Sequence, residues 1–133
     1  MIMIFAAQYI MQPTIFKTIE SSEFYIPERC HIIEIMNQPG IDLSVARARV
    51  EPGVTTVLHA VKGTTEAYYI LKGKGIVQLD NLRRENIAAG DVVFFPPDVP
   101  QAITNTGNEG LIFLAICCPR FRPASYEHLE AGV

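Results

Sequence analysis

The sequence predicts an all-β sandwich or barrel. Short apolar runs alternate with Gly- and Pro-bearing turns, and from Ser44 onward the spacing is strand, turn, strand with no helical period. The 9 Gly and 9 Pro are spread along the chain between those runs, as turn-rich β proteins require. With 133 residues, 49% hydrophobic and 19% charged, the chain suits one domain with an apolar core.

The elements follow in order. The run Met1–Ile10 has no basic region, is interrupted by Gln8 and is too short to span a bilayer, so it is read as an arm or extra strand on the barrel or on a partner subunit. Met11 offers an alternative start. Glu20–Met36 is read as outer strands, with Pro27 at an edge or a bend. Ser44–Val50 alternates Val45, Arg47 and Arg49 against Ala46, Ala48 and Val50, the period of a strand. Glu51-Pro52-Gly53 is a turn, and Thr55–Val61 is β-branched and extended. After the polar loop Lys62–Thr65, Ala67–Leu71 forms a strand that stops at Gly73, and Gly75–Leu79 continues beyond Lys74. A polar connection runs from Asp80 to about Glu85. Ala89-Gly90-Asp91 turns into the strand Val92–Phe95, which Pro96-Pro97-Asp98 closes. Gln101–Asn105, the turn Thr106–Gly110 and Leu111–Cys118 complete the set. The organisation is therefore residues 1–43 as arm and outer strands, 44–119 as barrel core and 120–133 as a tail. That tail carries one short helical turn that Ser125 can cap.

Composition excludes some partners. A net charge of −3 gives no basic field for nucleic acid or an anionic membrane. Three cysteines without C-x-x-C spacing make neither a disulfide framework nor a zinc site. Cys117 and Cys118 point to opposite faces of a strand and are read as packing residues, and reduced thiols suit the cytosol.

Two motifs carry the chemistry: Gly53-x5-His59-x-Val61-x4-Glu66-x6-Gly73, then Gly90-x5-Pro96-x-Asp98-x2-Gln101-x3-Asn105. Together they resemble the paired signature of the cupin superfamily, Gly-x5-His-x-His-x3–4-Glu-x6-Gly and Gly-x5-Pro-x-Gly-x2-His-x3-Asn. The resemblance covers Val45 to about Pro119 and implies a jelly-roll, or double-stranded β-helix, barrel and a homodimer. It also implies a metal held by three histidines and a glutamate. Val61 and Gln101 stand where two of those histidines would be. The ligand set that remains is His59, Glu66 and Gln101, for a divalent transition metal such as Mn, Fe, Zn or Ni. Asp98 replaces the second motif's glycine and tolerates a left-handed turn, so the corner is expected to survive.

Each residue also has a plainer reading. His59 and Val61, two apart on a strand, share a face, where His59 can be a hydrogen-bonded core residue. A barrel-facing Glu66 needs a metal, His59 or an arginine, because an unpaired buried carboxylate is costly. Gln101 can bind substrate instead of metal. Tyr68, on the face of Glu66, is a helper ligand or, in the favoured reading, pocket lining. Arg47 and Arg49 are read as outer-face charges unless one turns inward to bind an anion. His31 is placed on an outer strand and His128 in solvent.

Three functions are compatible with these residues. The first is a metal-binding cupin, either a metalloenzyme acting on a small polar or carbonyl-bearing molecule or a metal-dependent binding protein. The second is a metal-free acid/base isomerase or epimerase, with His59 as base, Glu66 orienting it and Tyr68 or Tyr69 as acid. The third is a non-catalytic module that binds a small ligand.

Overall fold

A computed structural model of the chain describes residues 12–131. The apolar run Met1–Ile10 and Met11, and with them the expected arm, lie outside the described residues. Eleven strands are ordered β1 (Phe24–Ile26), β2 (Cys30–Met36), β3 (Ser44–Val50), β4 (His59–Val61), β5 (Thr65–Lys72), β6 (Lys74–Leu79), β7 (Arg84–Ala88), β8 (Val92–Phe95), β9 (Gln101–Asn105), β10 (Leu111–Cys118) and β11 (Tyr126–His128). They pair antiparallel into a six-stranded sheet, β1-β2-β3-β10-β5-β8, and a five-stranded sheet, β11-β4-β9-β6-β7. One apolar core draws on both sheets: Ala48, Tyr68 and Phe113 from the first, Val77, Ile87 and Ile103 from the second. This is the expected jelly-roll, and no helix among the described residues is long and apolar enough to cross a membrane.

Alternation along the strands sorts the side chains as predicted. On β3, Ala48 and Val50 face the core. Arg47 and Arg49 lie on the other face, where they pair with Glu20 and Glu23 of the preceding segment at 2.6 Å each. Asp98 takes φ +70. Its N–H donates to the Val61 carbonyl, and its Oδ1 accepts the Gly63 N–H at 3.1 Å. The aspartate thus keeps the left-handed corner and ties it to the turn after β4.

Three expectations are corrected. The connection after Asp80 holds a strand, β7, that the sequence does not advertise. Among its residues only Ile87 is buried, while Arg84, Glu85 and Asn86 are exposed on a sheet edge, so no apolar alternation is visible. Thr55–Leu58 is extended but makes only an isolated bridge, Thr55 to Thr104, so the strand proper begins at His59. The segment after Pro119 has its short 3-10 turn at Pro123–Ser125, but Ser125 ends that turn and does not cap it. The chain then returns to the sheet as β11, paired with β4.

Gly75 tests how tightly β6 and β9 approach. A Cβ there would run into the Thr104 carbonyl oxygen and crowd Leu111. Gly75→Ala is expected to destabilise the fold by about 3 kcal/mol, read as a lower urea midpoint with an unchanged slope. A midpoint equal to the parent's would show that the strands do not approach this closely.

Candidate functional site

His59 opens β4 and is 4% exposed. Its position is set by the extended residues before it, whose backbone is held by side chains and carbonyls from distant parts of the chain. The Thr56 N–H donates to the Ile103 carbonyl at 2.9 Å and the Val57 N–H to the Glu28 carbonyl at 3.1 Å. Arg29 takes φ +70, a left-handed conformation uncommon outside glycine. It donates through Nε to the Thr55 carbonyl at 2.8 Å. The same guanidinium grips Glu130 with two bonds, at 3.0 and 2.8 Å. The turn between β1 and β2 is therefore docked onto residues 55–59.

That docking fixes both imidazole nitrogens. Nδ1 lies 2.7 Å from the Val57 carbonyl and so carries a proton. Nε2 lies 2.9 Å from Glu28 Oε1. The Tyr126 ring of β11 stacks on the imidazole, with centroids 5.0 Å apart and planes 17° from parallel. Burial alone would lower the His59 pKa. The Glu28 hydrogen bond and charge, the Val57 carbonyl and the Glu66 charge together outweigh it, so the pKa is raised and the imidazolium favoured. Burial, followed by the Glu28 charge, pushes the Tyr126 phenol up to about 12.

Glu66 forms a second cluster. It is 7% exposed and sits across from Cys117 in the β5–β10 register. Gln101 Nε2 donates to Glu66 Oε1 at 2.6 Å, and Cys117 Sγ lies 3.5 Å from Oε2 as a weak donor. Burial raises the Glu66 pKa, while these two donors and the His59 charge work against the rise. Burial also pushes the Cys117 thiol up, so it stays protonated and can only donate. Gln101 pairs across the strands with His59 but is 1% exposed, and its Oε1 is buried without a hydrogen-bond partner among the described residues.

The cavity beside these groups measures about 640 Å³. His59, Val61, Glu66 and Tyr68 line it, as two-residue spacing predicts, together with Glu28 and Tyr126. Gln101 is not among its lining residues; it backs Glu66. Tyr68 is a lining residue packed between Phe95 and Phe113, and burial raises its pKa well above 10.0, so its phenol stays protonated at neutral pH. Tyr69 is half-exposed and does not line the cavity. Cys117 is buried as expected, whereas Cys118 is exposed and not a packing residue. His128 is exposed, as expected, at the cavity's β11 side. His31 lies on the outer strand β2 with its ring against Tyr25.

Glu66 and Gln101 therefore meet as hydrogen-bonding partners, and His59 is bonded to Val57 and Glu28 instead. Gln101 turns its N–H, not its carbonyl oxygen, toward Glu66, and His59 Nε2 faces Glu28. Among the described residues no group of three or more His, Cys, Asp or Glu side chains is arranged to hold a metal ion. As arranged, the donors do not fit a resident cation. Glu28 is the partner that sequence reasoning missed. The one signal for it is a carboxylate held between Pro27 and Cys30 at the predicted bend.

A family model described as a cupin domain matches residues 46–117. The chain belongs to the cupin family. An uncharacterized protein of Methanocaldococcus jannaschii is 37% identical over 110 residues, which is 80% of this chain and 85% of that protein. The oxalate-binding protein of Thermotoga maritima is 44% identical over 71 residues, 53% of this chain, and the match spans only 58% of that protein. Among solved structures, a predicted oxalate decarboxylase of Thermotoga maritima superposes with a TM-score of 0.72 at 29% identity, covering 80% of this chain and 99% of that one.

The site's titration has a definite sign. The folded-state pKa of His59 lies above its ordinary 6.5, so the imidazolium's contribution is complete below 6.5 and is lost as pH rises through the folded value. The Glu66 pKa, raised from 4.5, acts in the same direction, because the folded state again holds the proton more tightly. The melting temperature is expected to fall as pH rises past 6.5. In Glu28→Gln this limb should flatten, and the neutral partner should cost about 1–3 kcal/mol below pH 6. An unchanged slope would remove the His59–Glu28 pair as the titrating unit.

Proposed function

We propose that this cupin binds a small organic molecule in its barrel and uses the His59–Glu28 pair as a metal-free proton donor and acceptor at that molecule's polar group. The observation that carries the reading is a buried imidazole, pinned through Nδ1, whose Nε2 meets a carboxylate at the wall of a largely apolar cavity. With the imidazolium favoured, His59 holds a proton at Nε2 and Glu28 offers an acceptor beside it. A hydroxyl or carbonyl lodged against the pair can take the first or give to the second. Glu66 is held by Gln101 and Cys117 and keeps its part of the wall polar without carrying the transferred proton. The carboxylate that orients the imidazole is thus Glu28, in the place first given to Glu66.

Binding and catalysis share this geometry, so the test reads the imidazole directly. His59 resonances are followed by NMR while small polar molecules that raise the melting temperature are added. Binders should shift the His59 signals, and the shift should vanish in Glu28→Gln but persist in His31→Gln. Binders that leave His59 unmoved would sink the reading.

A metal-loaded state is the second reading. It is favoured by the partnerless Gln101 Oε1 and by the Nδ1–carbonyl bond, a common way of orienting an imidazole ligand. It requires Gln101 to turn over and Glu28 to yield Nε2. Elemental analysis of protein purified without chelators or nickel resin decides it. A stoichiometric transition metal that is lost in both His59→Ala and Glu66→Ala would replace the first reading. Metal below about a tenth of stoichiometry leaves the proton pair in place.

A further inference from the structure

We infer that the cavity selects uncharged ligands and rejects small dianions in the metal-free protein. This deepens the proposed reading and rests on the same cavity. Among the described residues the walls carry three carboxylates, Glu28, Glu34 and Glu66, and no lysine or arginine. Arg29, Arg47 and Arg49 are paired with Glu130, Glu20 and Glu23, and Arg120 donates to Asn37 Oδ1 at 2.9 Å without itself lining the cavity. Residues 1–11 contain no charged side chain, so that segment brings no cationic side chain either.

The interior is close to neutral by internal pairing. The imidazolium of His59 is balanced by Glu28 at 2.9 Å. Glu66 is buried and held by two donors, and Glu34 is exposed at the rim. A dianion entering this space would give up its hydration, find no guanidinium or ammonium, and lie near carboxylates. Such a transfer is strongly unfavourable without a counter-charge. Size argues the same way. A cavity of about 640 Å³ falls in the range that encloses drug-sized organic molecules, whereas a two-carbon dicarboxylate would leave most of it unfilled. The apolar lining, with Ile26, Ile32, Val61, Ala115 and Phe121, suits an uncharged body with one polar group for His59 and Glu28.

The test uses the full chain after chelator treatment and dialysis. Benzyl alcohol and benzamide serve as uncharged probes, benzoate as their size-matched anion, and oxalate and inorganic phosphate as small multivalent anions. Calorimetry should show an uncharged probe binding at least about tenfold more tightly than benzoate. Oxalate and phosphate should neither bind nor raise the melting temperature. Glu34→Arg, at an exposed position, puts a cation at the mouth and should narrow the gap between probe and benzoate by about fivefold. Benzoate binding as tightly as the uncharged probes, oxalate binding to the chelated protein, or no uncharged probe binding at all would each overturn the inference. The two readings fail separately. Anions that bind and move the His59 signals would spare the proton pair and refute the charge selectivity. Uncharged probes that bind and leave His59 unmoved would do the reverse.

Discussion

The docking of the β1–β2 turn onto residues 55–59 is the constraint on which the site depends. One short turn supplies a carbonyl to the Val57 N–H, a guanidinium to the Thr55 carbonyl and a carboxylate to His59 Nε2. Arg29 joins the same clamp to Glu130, whose Oε2 also accepts the Leu58 N–H at 3.4 Å. Residues 55–58 have no ladder of their own beyond one bridge, so these bonds satisfy backbone groups that a regular strand would pair. The left-handed Arg29 is the strained point of the turn. Its conformation lets consecutive residues send side chains to opposite ends of the clamp. Without this docking the imidazole would keep its place in β4 but lose the partner that holds its second nitrogen.

The two motif substitutions have coherent physical consequences. Replacing an imidazole by Val61 removes a donor from the cavity wall and leaves that part of the wall apolar and 4% exposed. Replacing another by Gln101 changes its role from accepting to donating, because a carboxylate at 2.6 Å selects the amide N–H. Glu66 then has a hydrogen-bonding solution that needs no positive ion. His59, relieved of Glu66, finds its carboxylate on another element. The frame of the cupin motifs is kept while the charge balance inside it is redistributed into two separate clusters.

The fold was legible because its causes are local. Alternation on β3, β5 and β10, glycines at turns and the Asp98 corner all follow from residues near one another in the sequence. The strands that escaped notice are those whose stability is not local. β7 carries charges on an exposed edge, and β11 is three residues that hold to β4 through backbone bonds. The same division runs through the site. His59, Val61, Glu66 and Tyr68 share the cavity because strand periodicity puts them there. Glu28 and Tyr126 reach His59 only through tertiary docking, from opposite ends of the chain. No spacing rule connects them to β4.

The placement of cations completes the physical picture. Arginine is the side chain best suited to bind carboxylates and phosphates, and β3 carries two of them on a strand whose inner face lines the cavity. Strand alternation turns both outward, and Glu20 and Glu23 neutralise them there. Moving either residue by a single position would bring a guanidinium to the inner face, since a one-residue slip exchanges the two faces. The register of β3 against β2 and β10 is fixed along nearly its whole length. The sheet's pairing, set by Ala48 and Val50 against the core, therefore also decides that the cavity has no arginine of its own. Ligand charge in this barrel is governed by the hydrophobic pattern of a strand as much as by the residues that touch the ligand.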